Sequence, residues 1–126
     1  MASEINVSIY DEKCKKLLDE ENIRFAAIIN EEGKLVSGGF GQGITPLEGD
    51  ETKLQDFMEF VSKISIRKEL DQSLGPINYL AARRDKAVLI SFPFPITKIV
   101  LLVSAEPCVD IEKLATTVVE VFSSIS

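Results

Sequence analysis

At 126 residues, with 45% hydrophobic content and no apolar run of bilayer-spanning length, the sequence describes one globular domain with a core of its own. A net charge of −6 opposes binding to polyanions, and the absence of histidine removes the commonest general base and metal ligand. The start, Met-Ala-Ser-Glu-Ile-Asn-Val, has neither a basic region nor an apolar run and does not read as a secretion signal.

The expectation is therefore a single domain over 1–126, with 1–7 a loose N-terminus and a cytoplasmic location. Cys14 and Cys108 stand in no metal or redox spacing and are expected to be reduced packing residues.

Charge is placed unevenly. Residues 1–62 carry 6 Lys/Arg against 13 Asp/Glu, residues 63–98 carry 7 against 3, and residues 99–126 carry 1 against 4. The basic middle third is either a set of solvated element ends or a docking patch for an acidic protein surface, formed by Lys63, Arg67, Lys68, Arg84 and Lys86. Nucleic acid is not expected there, because the overall field opposes it and Tyr79 is the one interleaved aromatic.

The first helix is expected over Ser8–Glu20, with Ser8 and Asp11 spaced as a capping box and Tyr10, Cys14, Leu17 and Leu18 on one face. Ile23–Asn30 reads as a strand apolar on both faces, with Phe25, Ala27 and Ile29 opposite Ala26 and Ile28. Gly33 is placed to take the left-handed conformation of a bulged hairpin turn, after which Lys34–Phe40 returns antiparallel. Gly38 and Gly39 weaken that strand and assign it to a sheet edge. The glycines of 38–43 run into an acidic stretch without Gly-Lys-Ser/Thr, so they read as a connection rather than a phosphate loop.

A second helix starts near Asp50, its expected N-cap, and carries Leu54, Phe57, Met58, Phe60, Val61 and Ile64 on a stripe about 160° wide at 3.6 residues per turn. That width fits either a helix sunk in its own core or one serving a second surface as well. Ile66 and Leu70 fall off the stripe, which predicts a bend or restart before Leu74-Gly75-Pro76. A three-stranded meander follows. Ile77–Arg84 is the most polar strand and belongs at the other edge, Asp85-Lys86 is a tight turn without glycine, and Phe92-Pro-Phe-Pro-Ile96 is expected to be a corner between the next two strands. Ile99–Ala105 is apolar at both parities and must be covered on both faces. Glu106–Asp110 then caps a final helix bearing Ile111, Leu114, Ala115, Val118, Phe122 and Ile125 at helical spacing.

The two strands apolar on both sides should be central neighbours. The architecture is therefore an α+β fold: a five-stranded antiparallel sheet in order 2-1-5-4-3 between helical layers, three-layer α/β/α, in the sequence αββαβββα. Phe25-Ala-Ala-Ile-Ile-Asn-Glu-Glu-Gly-Lys-Leu-Val-Ser resembles the opening hairpin of the roadblock / dynein-light-chain domain, within the profilin-like and longin-like group, and Leu101-Leu-Val-Ser-Ala leading through proline into the last helix resembles its closing unit. The likeness spans about Ser8 to Ile125 and is nearest to a compact archaeal member; it departs from the family pattern at Phe92-Pro-Phe-Pro and at the Phe40–Glu48 connection.

The resemblance implies a non-enzymatic scaffold that dimerises by pairing its third strand across a two-fold axis, with the second helices alongside, and whose relatives often bind small Ras-like GTPases. Carried onto this chain, the interface would use Asn78, Tyr79, Leu80, Ala81, Ala82 and Arg83 with Phe57, Phe60, Val61 and Ile64. A homodimer is expected, with a small GTPase or other protein as partner. The competing reading is a small-molecule sensor with a pocket between sheet and helix lined by Phe25, Phe40, Phe92 and Phe94. Catalysis is not expected, since no Cys–His, Ser–His or metal set can be assembled; no cofactor is expected either.

Overall fold

A computed structural model describes residues 7–41, 51–65, 70–94 and 98–123. The chain runs α1 (Val7–Leu18), β1 (Ile23–Ile29), β2 (Leu35–Phe40), α2 (Glu51–Ser65), α3 (Asp71–Leu74), β3 (Leu80–Arg83), β4 (Val88–Phe94), β5 (Ile99–Ala105) and α4 (Ile111–Phe122). This is the expected order with one short addition, α3, in the stretch where a restart was predicted. The strands form one antiparallel sheet in order β2-β1-β5-β4-β3.

Every residue of β5 is buried, as its two-sided apolar pattern requires. Ile99, Leu101 and Val103 join Ala26 and Ile28 of β1 and Val88, Ile90 and Phe92 of β4 on the face covered by α1 and α4, where Cys14, Leu17, Leu114 and Val118 pack. Val100 and Leu102 join Phe25, Ala27 and Ile29 on the opposite face, beneath Met58 and Val61 of α2. Each fully buried aliphatic side chain of this kind contributes about 1.5–3 kcal/mol. Burial pushes the Cys14 thiol up to about 12, helped by the nearby Asp11 carboxylate, which makes it a packing residue; Cys108, also expected to pack, is instead a free, exposed thiol.

Turn geometry follows the residues available. Gly33 takes φ +81° in the β1–β2 turn, as expected. Arg84 N–H donates to the Ala87 carbonyl across Asp85-Lys86, and neither central residue has positive φ, which explains why this turn manages without glycine. Asp110 is the N-cap of α4, its side chain accepting from the Lys113 N–H.

Four further expectations need correcting. Ser8 lies inside α1 rather than capping it, and Asp11 makes a cross-element tie instead: its carboxylate accepts from Ser37 Oγ at 2.6 Å and from the Gly38 N–H at 3.1 Å. Val7, expected to precede the first helix, is the first residue of α1. The strand expected over Ile77–Arg84 begins at Leu80, because pairing with β4 starts at Leu80↔Ser91. Pro93 is no corner: it pairs with Val100 within β4. It is tolerated because β3 covers only Val88–Ser91, leaving Phe92–Phe94 with one strand neighbour. The Asp50 cap, the 42–48 connection, Ile66, Pro95 and Ile125 fall outside the described residues.

Candidate functional site

β3 ends the sheet, so one of its two edges faces β4 and, among the described residues, no strand pairs with the other. It is four residues long and nearly bare: Leu80 is half-buried and Ala81, Ala82 and Arg83 are exposed. Cross-strand register sorts its faces. Leu80 and Ala82 pair with Ser91 and Leu89 and lie on the α2 side, whereas Ala81 and Arg83 pair with Ile90 and Val88 and lie on the α1/α4 side.

α2 stands on the same face of the sheet as Leu80 and Ala82, and its rotation is set from the far side. The β1–β2 turn docks on one stripe of the helix: Gln55 Nε2 donates to the Gly33 carbonyl, and Ser62 Oγ donates to the Asn30 carbonyl at 2.8 Å. Asn30 Oδ1 in turn accepts from the Glu32 and Lys34 N–H groups, which fixes the turn. Gly33 fits so closely that a Cβ there would sit 2.4 Å from the Glu59 Cα. With Gln55, Glu59 and Ser62 against the turn and Met58 and Val61 against the sheet, helical geometry turns Phe57, Phe60 and Ile64 away from the β1–β2 turn, toward the β3 side. Phe57 is half-buried, but Phe60 is 61% exposed and Ile64 38%. The broad stripe is thus buried along one side and exposed along the other. Val61, at 6%, packs into the core on the α2 face of the sheet.

The remaining β3 candidates divide. Asn78 is exposed ahead of the strand. Tyr79 and Arg83 turn toward α4 rather than outward. The Tyr79 ring packs 5.9 Å from Phe92, and its hydroxyl donates to the Glu112 carboxylate, which raises the phenol above its ordinary pKa. Arg83 donates from Nη1 to the Pro107 carbonyl at 2.6 Å and from Nη2 to the Val109 carbonyl at 3.4 Å. Sequence patterning carries no signal for these partners, since carbonyl acceptors are common to every residue.

Lys63, Arg84 and Lys86 are exposed; Arg67 and Lys68 lie outside the described residues. The four phenylalanines proposed for a ligand pocket cannot share one. Phe25 and Phe40 pack with tilted rings, centroids 4.7 Å apart, on the α2 face, whereas Phe92 and Phe94 lie on the α1/α4 face, where Phe94 packs 5.5 Å from Phe122. A polar cleft of about 280 Å³ opens between the α1–β1 turn and α4, lined by residues including Glu20, Glu21, Cys108, Asp110 and Lys113. Among the described residues no helix is long and apolar enough to cross a membrane, and no cluster of three or more Cys, Asp and Glu could hold a metal ion.

A protein-family model described as a family of unknown function, DUF6659, matches residues 2–124. No curated protein matches the sequence. Among solved structures, the chain is similar to the Roadblock/LC7 domain from Streptomyces avermitilis, with TM-score 0.68 and 14% identity over 91% of this chain and 92% of that one. It is also similar to Myxococcus xanthus MglB, with TM-score 0.63 and 17% identity over 98% and 94% of the two chains. A third similar structure is MglB with tetrameric arrangement, with TM-score 0.64 and 9% identity over 93% and 90%. At these identities the likeness is one of fold, and the fold is that of the roadblock domain.

Proposed function

We propose that this chain, which belongs to the DUF6659 family and has the roadblock fold, is a non-enzymatic protein-interaction module that pairs with a second copy through β3 and α2. The carrying observation is the edge of β3 with which, among the described residues, no strand pairs, on the side toward which exposed Phe60 and Ile64 are turned. An open edge strand next to apolar side chains is a liability that a second strand removes. A two-fold axis through such an edge makes the contact self-complementary, with Ala81 and Ala82 small enough for the strands to approach. Self-association is supported by the similar MglB structure in a tetrameric arrangement.

The resemblance to roadblock domains extends the reading to a partner: a small Ras-like GTPase, with Lys63, Arg84 and Lys86 as exposed cations for an acidic surface. Arg67 and Lys68 belong to the same proposed patch by sequence.

Sedimentation equilibrium of the wild type and Phe60→Ser tests the assembly. A dimer that the substitution weakens supports it, and a wild type that stays monomeric at high micromolar concentration overturns it. Calorimetric titration of a Ras-like GTPase in its GDP and GTP forms tests the partner. Saturable heat reduced by Arg84→Glu with Lys86→Glu is the expected result, and no heat with either form refutes the GTPase assignment.

A further inference from the structure

A four-residue edge strand with a neighbour on one side is the kind of segment that frays, and an arginine on such an edge ordinarily blocks pairing. Here both ends of β3 are tied to the same place. At its start, Tyr79 reaches Glu112 in the first turn of α4; at its end, Arg83 reaches the Pro107 and Val109 carbonyls in the β5–α4 connection. The anchor is itself held fast. Glu106 N–H donates to the Asn22 carbonyl at 2.7 Å, Arg24 pairs with Glu106 at 2.9 Å, Val109 N–H donates to the Glu106 carbonyl, and the Val109 side chain is buried.

We propose that Tyr79 and Arg83 form a latch that holds β3 extended against the start of α4 and draws the Arg83 guanidinium off the open edge, so that the readiness of that edge to pair is set by the β5–α4 connection. The proposal rests on the dimer reading for its consequence but not for its mechanism. Both are positioning residues: Arg83 donates from each of its two Nη atoms to a carbonyl of its own chain, and Ala81 and Ala82 between them stay bare. The side-chain direction needed for this is imposed by register, because Arg83 shares its face with Val88 and hence with α4.

The test uses Arg83→Met and Tyr79→Phe, singly and together, in the full chain. Tyr79→Phe keeps the ring on Phe92 and removes only the hydroxyl, so it remains informative if the arginine variant folds poorly. Hydrogen–deuterium exchange of segment 79–84 is followed at concentrations where the protein is monomeric, and the dimer dissociation constant is measured by sedimentation. We expect exchange in 79–84 to quicken on the order of tenfold in the double variant, with β1 and β5 unchanged and the dimer weakened by a similar factor. Unchanged exchange in that segment overturns the latch. Faster exchange with an unaltered dimer overturns its link to pairing. A wild type that never dimerises refutes the assembly instead, and exchange alone then decides the latch.

Discussion

Gly33 shows how one residue can serve two constraints of different origin. Its left-handed φ belongs to the hairpin turn, and sequence spacing reveals that much. The second constraint, the close approach of the Glu59 backbone, belongs to α2 and has no signature in the turn itself. Gly33→Ala therefore combines backbone strain with a clash against main chain, which cannot rotate away. A loss of about 2–4 kcal/mol in urea unfolding is expected, larger than for an ordinary turn glycine. Asp11 carries the opposite lesson, because a pattern that reads as local capping is used across elements. The Ser37 hydroxyl and the Gly38 N–H hold its carboxyl below the ordinary value of 3.8; partial burial opposes the shift, and Lys15 adds a smaller attraction. Since the folded value lies below the unfolded one, the carboxylate's contribution is complete above pH 3.8 and disappears as pH falls through the folded value. Asp11→Asn is thus expected to be less stable than wild type at pH 7, with the gap in denaturant midpoint closing as the pH is taken below 3.8.

At the scale of elements, the strands with two-sided apolar patterns were legible as central, and the glycine-bearing and arginine-ended strands as edges, because burial on both faces leaves a composition that only neighbours on both sides explain. Element ends were less legible. The start of β3 depends on where β4 offers a partner, and Pro93 reads as a breaker although it sits where β4 has lost its outer neighbour. The division of labour around α2 was also hidden. Phe60 and Val61 are adjacent apolar residues in sequence, but the contacts of Gln55 and Ser62 with the β1–β2 turn decide which of them is buried. α4 depends more on local signals. Its N-cap bond from Lys113 to Asp110 was predictable, and Asp110→Ala should cost about 1 kcal/mol, readable as a lower midpoint of thermal unfolding.

Among the described residues, the sheet is covered on one face by α1 and α4 and on the other by α2, and no strand pairs with the outer edge of β3. The site candidates chosen from the sequence were placed on two elements, β3 and α2, because the family resemblance points to elements rather than to single side chains. Which side chains face outward is decided by register and helix rotation, so Val61 goes to the core and Tyr79 and Arg83 to α4. The central proposal is that a second copy pairs along β3. Solution mass by light scattering across a dilution series, with Ala81→Asp alongside, tests that pairing most directly. The substitution sets two carboxylates near each other across the two-fold axis while leaving the core untouched, because Ala81 is exposed. A wild-type dimer of two 13.9 kDa chains that Ala81→Asp converts to monomer is the predicted result. A wild-type monomer at the highest concentration, or a dimer indifferent to Ala81→Asp, would contradict it.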